Sequence, residues 1–183
     1  MSMESLIKKL QNIMRGDDLS GTVQYLKQMI WMIFLKIYDA QEEKWELLED
    51  DYTSIIPEEL KWRNWAVDNN DGKALTGDEL IKFVNDTLIM GLKKLEVNEY
   101  TPKRHLIVWQ MFQDASNFMK NGTKLRQMIN ELNQKDFTNS TETHEFGDMY
   151  ESMLKDLQES KRDGGEFYTP RALTDFIVEK VDP

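Results

Sequence analysis

The sequence predicts an all-α protein, folded as an irregular multi-helix bundle of about seven or eight helices. Apolar residues recur at the i, i+3, i+4, i+7 spacing along nearly the whole chain, and no alternating segment exceeds about four residues. Glycine and proline interrupt helices, and the chain has only 9 glycines and 4 prolines among its 183 residues. All four prolines fall at predicted element boundaries, which supports the same fold class.

Two helices are predicted in the first quarter of the chain. The first ends near Gly16, and its apolar face consists of Met3, Leu6, Ile7, Leu10 and Met14. The second runs from about Thr22 to Leu48, with Asp18 or Ser20 as its cap. Its far end is rich in Asp and Glu, and negative charge there opposes the helix dipole. We therefore expect that end to fray or to be neutralised by a partner.

Four shorter helices are predicted in the middle of the chain. Pro57 begins the first of them, which carries Trp62 and Trp65. A threonine marks the start of each of the other three: Thr76, in a capping box with Glu79; Thr101, followed by Pro102; and Thr123, after Gly122 has ended the preceding helix.

The last third of the chain has the clearest amphipathic pattern. It covers residues 146–157, with Phe146, Met149, Tyr150, Met153, Leu154 and Leu157 on one face. A loop at 160–165 follows, and Thr169-Pro170 opens a last helix. The predicted organisation is an N-terminal helical domain of residues 1–160, and then residues 161–183 with a loop, a motif and a helix.

Charge and composition exclude several classes of protein. With 23 basic against 33 acidic residues, the net charge is −10, so the chain should not bind DNA unaided. The absence of cysteine excludes disulfides and thiolate chemistry. His105 and His144 are far apart, so no metal site is predicted. The most apolar run, residues 29–35, is far shorter than the ~20 residues of a membrane span, and a cytoplasmic location is expected.

Two patterns imitate functional sites. Residues 68–79 resemble a calcium loop, but in neither register do the glycine and the first ligand both fit, so an Asx-type turn is favoured. Glu42, Glu46 and Glu49 could pair as catalytic carboxylates. They lie near Lys44 at the end of an amphipathic helix, so a solvated face is the preferred interpretation.

The stretch with the sequence Gly-Gly-Glu-Phe-Tyr-Thr-Pro-Arg, residues 164–171, carries more information. It is a glycine-hinged loop that feeds a helix capped by Thr169, with Pro170 as the first helical residue. The free N–H groups of such a helix start suit an anionic group, and Phe167 and Tyr168 could line a pocket for an adenine or a sulfonium. An ordinary helix start with two core aromatics is the alternative.

This stretch resembles a segment of the HsdM family, the modification (methyltransferase) subunits of type I restriction–modification systems. Residues 146–154 are similar to the family's Leu-Gly-x-x-Tyr-Glu-x-Leu-Leu helix. Met14-Arg15-Gly16 and Phe34-Leu35-Lys36 resemble its Leu-Arg-Gly and Phe-Leu-Lys patterns. The resemblance spans nearly the whole chain, although residues 50–135 match only in helical character.

The resemblance implies a cofactor and a set of contacting residues. Family members transfer a methyl group from S-adenosylmethionine to adenine in DNA. The matching positions for cofactor contact are Glu166, Phe167, Tyr168, Thr169, Pro170 and Arg171. Thr169 is expected at the amino-acid end of the cofactor, through its hydroxyl and its backbone N–H. No catalytic residue is predicted in this chain.

The family's next motifs, Asp-Pro-x-x-Gly and Asn-Pro-Pro-Phe or Tyr, do not occur here. They hold the cofactor and the flipped adenine, so this chain is expected to be the helical front part of a larger enzyme, inactive alone and with weak or no S-adenosylmethionine binding. The implied partners are a specificity subunit, a second modification subunit, a restriction subunit and, through the complex, DNA. A stand-alone helical interaction or regulatory module without enzymatic role is the competing hypothesis.

Overall fold

A computed structural model describes residues 2–68 and 74–137, together with His144. Its α-helices are α1 (Met3–Arg15), α2 (Thr22–Leu48), α3 (Trp62–Trp65), α4 (Gly77–Lys82), α5 (Met90–Lys93), α6 (Lys103–Gln113) and α7 (Gly122–Asn133). A 3-10 turn (Glu58–Leu60) precedes α3, and a π-helical segment (Phe83–Ile89) joins α4 to α5. No strand occurs in these described ranges, so the all-α prediction is confirmed.

The first helix follows its predicted pattern closely. The Ser2 side chain accepts a hydrogen bond from the Ser5 amide and caps α1. The five apolar residues predicted for its inner face are all buried. Burial of each such side chain stabilises the fold by roughly 1.5–3 kcal/mol. This face packs on α7 and on α2.

Helix α2 is the central element, and Trp31, Phe34 and Tyr38 on it are completely buried. Its predicted caps are wrong. The N-cap is Gly21, at φ +90°, with no side-chain hydrogen bond. The chain turns sharply here because Leu19 is buried and its amide bonds to Met14 O, which leaves Asp18 in a left-handed conformation.

The predicted helix from Thr76 forms as a continuous run from Gly77 to Lys93, with the π-helical segment inside it. The predicted capping box is absent, because no Thr76 side-chain bond caps the helix. Gly77 adopts φ +56°, so the first turn departs from the regular geometry in which a hydroxyl meets the third amide.

Helix α6 is shorter than predicted, since it ends at Gln113 and not at Gly122. Side chains from distant elements hold the backbone that follows. The Phe118 amide donates to the fully buried Gln28 Oε1 (2.7 Å), and the Lys120 and Asn121 amides both donate to Asp17 Oδ2 (2.7 and 3.0 Å). These bonds replace the helical ladder, because buried N–H groups need partners.

The start of α7 also differs from the prediction. Asn121, and not Thr123, caps the helix, because its side chain accepts from the Lys124 amide at 3.1 Å. Gly122 meets the Gly77 backbone so closely that a Cβ atom on Gly122 would clash with Gly77 O. This contact seats the start of α7 on the start of α4.

We predict that Gly122→Ala destabilises the fold by about 3 kcal/mol or more, because the added methyl group must push two backbones apart. Thr123→Ala, the neighbouring control, should change the free energy of unfolding by less than about 0.5 kcal/mol, because Thr123 is exposed. Urea denaturation of the 183-residue chain measures both. Equal stability of Gly122→Ala and wild type would contradict the close contact.

Candidate functional site

The six residues predicted to contact a cofactor, 166–171, lie outside the described residues, so that site stays a prediction. The described part contains no group of His, Cys, Asp and Glu side chains that could hold a metal ion. None of its helices is long and apolar enough to cross a membrane. Its most unusual feature is a cluster of charges on the second half of α2.

This cluster, which we call the charged hub, consists of Asp39, Glu42, Glu46, Lys61 and Arg63. The three carboxylates are spaced by three and four residues, so they lie on one face of α2. Lys61 and Arg63 come from the segment that contains the 3-10 turn and α3. The hub therefore attaches this segment to α2.

Arg63 lies at the centre of the hub. Its guanidinium donates to both oxygens of Glu46 at 2.9 Å, in a bidentate pair. Its backbone amide donates to Asp39 Oδ2 at 3.1 Å, and its Nε lies 3.2 Å from Asp39 Oδ1. One residue thus contacts two carboxylates, through hydrogen bonds from its backbone amide and its Nη atoms and an ion pair from its Nε, which fixes the position of α3 against α2.

Lys61 adds a second cation on the opposite side of Glu46. Its Nζ lies 2.9 Å from Glu46 Oε1 and 2.7 Å from Glu58 Oε2. The Lys61 side chain is only 6% exposed, so its charge is shielded from water. The pKa of Glu46 is lowered by Lys61 and Arg63 in spite of the opposing effect of burial.

Glu42 contradicts the sequence prediction of a solvated acidic face, because its side chain is fully buried. Its Oε1 accepts from the Tyr52 hydroxyl at 2.7 Å and from the Ser54 hydroxyl. Its Oε2 lies 3.6 Å from Arg63 Nη2. A buried carboxylate costs several kcal/mol unless it is paired and hydrogen-bonded. The contacts of Glu42 offset part of that cost, because Oε1 is hydrogen-bonded and Oε2 has only the ion pair.

Helix α2 is regular up to Leu48, and Arg104 of α6 neutralises Glu49 at its acidic end. Its guanidinium donates to both oxygens of Glu49 at 2.6 and 2.7 Å. The same guanidinium lies over the rings of Trp45 (5.0 Å) and Tyr52 (4.9 Å). The expected neutralisation of the acidic end therefore occurs at Glu49 within the chain, and it joins α6 to α2.

Burial of Asp39 in the hub changes its acidity. Desolvation raises the pKa of Asp39 to about 6, against the opposing pull of Arg63. On α6, burial and then Arg104 lower the pKa of His105, whose ring packs edge-on against Tyr52 at 5.9 Å. Chemically, the hub is a set of ion pairs closed between α2 and its neighbours, and it holds elements together.

A polar cluster on α7 binds the other side of the same segment. Asn133 Oδ1 accepts from Trp62 Nε1 (2.9 Å) and from Lys36 Nζ (3.2 Å). Arg126 donates to the carbonyl oxygens of Ala66 (2.8 Å) and Leu75 (2.7 Å). Burial lowers the pKa of Lys36, in the family-like Phe-Leu-Lys pattern, to about 8. Residues 58–66 therefore bridge α2 and α7.

Sequence reasoning missed the hub, although one signal was present. Glu42 lies three residues before Trp45 and four after Tyr38, on the face that those aromatics bury. Its partners come from other elements, and no spacing rule connects them to α2. Asp39 and Arg63 were not singled out for the same reason.

The fold and its charged hub define a helical scaffold domain. The family model described as the HsdM N-terminal domain matches residues 3–132, so the chain belongs to that family. A second model, N-6 DNA Methylase, matches residues 141–183. The second match contains the six residues predicted to contact a cofactor.

Relatives and a solved structure agree with this family. The chain is 52% identical over its whole length to the type I restriction enzyme EcoEI methylase subunit of Escherichia coli, and it covers 37% of that protein. It is 25% identical over 87% of its length to the StySPI methylase subunit of Salmonella potsdam, covering 26%. A solved structure concerning complex assembly and conformational transition of the type I R-M system matches with a TM-score of 0.72 and 33% identity, over 99% of this chain and 35% of that one. The chain thus spans 26% to 37% of the length of these proteins.

We predict that Arg63→Met destabilises the chain by about 3–5 kcal/mol, because it leaves Asp39 and Glu42 buried without their cation. Arg15→Met is the matched control. Arg15 is exposed and bonds only weakly to Asn12 (3.4 Å), so its loss should cost less than about 0.5 kcal/mol. Chemical denaturation compares the two variants, and similar losses for both would contradict the hub.

The second prediction for the hub concerns pH. Because the folded pKa of Asp39 is raised from 3.8 to about 6, its protonated form stabilises the fold. That contribution is complete below the unfolded pKa and is lost as the pH rises through about 6. Wild type should therefore gain stability relative to Asp39→Asn as the pH falls from about 7 to 4. Carboxyl-carbon NMR should place the Asp39 midpoint near 6, and a midpoint below 4 would refute the shift.

Proposed function

We propose that the chain is the N-terminal helical part of an S-adenosylmethionine-dependent DNA adenine methyltransferase subunit in a type I restriction–modification system. The observation that carries this proposal is the order of the two family matches, with the HsdM N-terminal domain directly before an N-6 DNA Methylase match. The 52% identity to the EcoEI methylase subunit supports the same system. The complete enzyme would act in the cytoplasm, on DNA.

Within that enzyme, the described helices would serve assembly and the clamping of DNA. Ion pairs to α2 and hydrogen bonds to α7 hold residues 58–66 between these two helices, which gives a rigid body that can transmit force between bound subunits. The net charge of −10 suits contact with basic protein surfaces. Partners would be a specificity subunit, which recognises the target sequence, a second modification subunit and a restriction subunit. These partners would supply most of the positive surface for DNA.

The cofactor would meet this chain at residues 166–171, inside the N-6 DNA Methylase match. In this proposal Thr169 bonds the amino-acid end of S-adenosylmethionine, and an aromatic neighbour shapes the pocket. Bound S-adenosylmethionine supplies the methyl group. Because Asn-Pro-Pro and Asp-Pro-x-x-Gly are absent from this chain, the chain alone should not transfer it.

The experiment uses the complete subunit, co-purified with its specificity subunit. Thr169→Ala should weaken S-adenosylmethionine binding by about tenfold to a hundredfold, as expected for loss of a hydrogen bond to a charged group. Thr123→Ala, an exposed threonine on α7, is the control and should bind as wild type does. Isothermal titration calorimetry measures both affinities, and an unchanged affinity in Thr169→Ala would remove that role.

The 183-residue chain alone provides the complementary test. It should incorporate no labelled methyl group into DNA, and the wild-type complex should incorporate it. Methylation of DNA by the pure chain, or micromolar binding of S-adenosylmethionine to it, would contradict the proposal that catalysis and tight cofactor binding need the rest of the enzyme.

A further inference from the structure

Three large apolar side chains are almost fully exposed, two at the end of α2 and one in the turn before α6. Leu47 is 85%, Leu48 82% and Tyr100 84% exposed. We call these three residues the tip patch. Two adjacent leucines with an aromatic residue near them differ from single exposed apolar residues, which are common on protein surfaces.

The two leucines lie on the same face of α2 as isoleucines that are buried further back along the helix. Ile33 and Ile37 are almost completely buried. At steps of three or four residues the same face of the helix reaches Leu47 and Leu48. Gln41 and Lys44 lie on this face between the two pairs, and at the last turn of α2 no described element covers Leu47 and Leu48.

Tyr100 belongs to the turn before α6, in which its amide donates to Asn98 Oδ1 (2.8 Å). One turn later, Arg104 forms its bidentate pair with Glu49, the residue after Leu48. Because this pair joins the start of α6 to the end of α2, the tip patch is held on two fixed elements.

The charged residues near the tip patch in sequence are mostly acidic, and the lysines among them are Lys44, three residues before Leu47, and Lys103, three residues after Tyr100. Asp50 and Asp51 follow α2 directly, are exposed and form no ion pair with any described residue. Glu99 beside Tyr100 is equally exposed. The C-terminal end of the 27-residue helix α2 adds the negative pole of its dipole. The internal cations Arg63, Lys61 and Arg104 are already used by other carboxylates.

We propose that the tip patch is a docking surface for a segment of a different protein subunit, one that presents apolar side chains flanked by Lys or Arg. Apolar side chains would cover Leu47, Leu48 and Tyr100, and cations would pair with Asp50, Asp51 and the helix end. This inference rests on the proposed function in a multi-subunit complex, and it identifies one surface through which that complex would assemble. The observation that supports this proposal is an apolar patch next to Asp50 and Asp51, which form no ion pair with the described residues and would attract cations.

Charge also selects against two other occupants. A second copy of this surface would bring acidic rims together, which is unfavourable. In residues 138–183 of the chain itself, acidic residues outnumber basic ones by about two to one, so that segment is a poor match as well.

The test is site-specific photo-crosslinking in the complete methylase subunit, assembled with its partner subunits. Benzoylphenylalanine replaces Leu48, and in a control it replaces Val67, which is 38% exposed on another element. Mass spectrometry of the adduct identifies the contacting peptide. The expected result is a basic, apolar segment of a different subunit, crosslinked from position 48 and not from 67. An adduct within the same polypeptide, an adduct with a second methylase subunit, or no adduct would each overturn the proposal.

A second arm measures affinity. The triple variant Leu47→Ser, Leu48→Ser, Tyr100→Ser should weaken association of the methylase subunit with that partner by about tenfold or more, because exposed anchors are removed without disturbing the core. The control Val67→Ser, Met90→Ser removes two partly exposed apolar residues elsewhere and should associate as wild type does. Equal affinities of the two variants would overturn the proposal.

Transfer of a labelled methyl group to DNA by the wild-type complex distinguishes a failure of the docking inference from a failure of the proposed function. If wild type methylates DNA but shows no inter-subunit adduct at position 48, this docking inference fails and the proposed function stands. If wild type does not methylate DNA, the proposed function itself fails.

Discussion

The pairing of Arg63 with the acidic face of α2 is the constraint on which the rest of the fold depends. Asp39 and Glu42 are buried and Glu46 is partly so, and carboxylates cannot be buried without a cation and hydrogen bonds. From a segment 17 to 24 residues further along the chain, Arg63 supplies the cation for all three and hydrogen bonds to Asp39 and Glu46. Tyr52 and Ser54 supply the hydrogen bonds to Glu42. Once Arg63 is seated, the position of α3 on α2 has little freedom left, because a bidentate pair fixes both distance and orientation.

The same segment then determines where α7 lies. Trp62, next to Arg63, donates its indole N–H to Asn133, and Arg126 holds the Ala66 carbonyl. A hydrophobic core alone would tolerate several arrangements of short helices, since apolar contacts are not directional. Well-packed apolar residues could match the stability of such ion pairs. Their contribution here is to select one arrangement of α2, α3 and α7.

The sequence predicted what depends on local pattern. The inner face of α1 was correct residue by residue, because a 3.6-residue period is visible in one segment. The sequence does not predict features that depend on contacts between residues far apart in the chain. The end of α6 depends on Asp17 and Gln28, some 90 to 104 residues away. The burial of Glu42 depends on contacts with Tyr52, Ser54 and Arg63. In the sequence, only its position between Tyr38 and Trp45 indicates that burial. The cofactor motif at 166–171 remains a prediction from resemblance.

Native-state hydrogen exchange at the Arg63 amide tests the central claim most directly. This N–H donates to Asp39 Oδ2, within the contact that joins α3 to α2. If the hub holds the fold together, the Arg63 amide should exchange only on global unfolding, as slowly as the amide of Ile37 in the core of α2. Exchange at the fast rate of an exposed loop amide, such as that of Val67, would show that the segment opens without unfolding the rest, and would contradict the account.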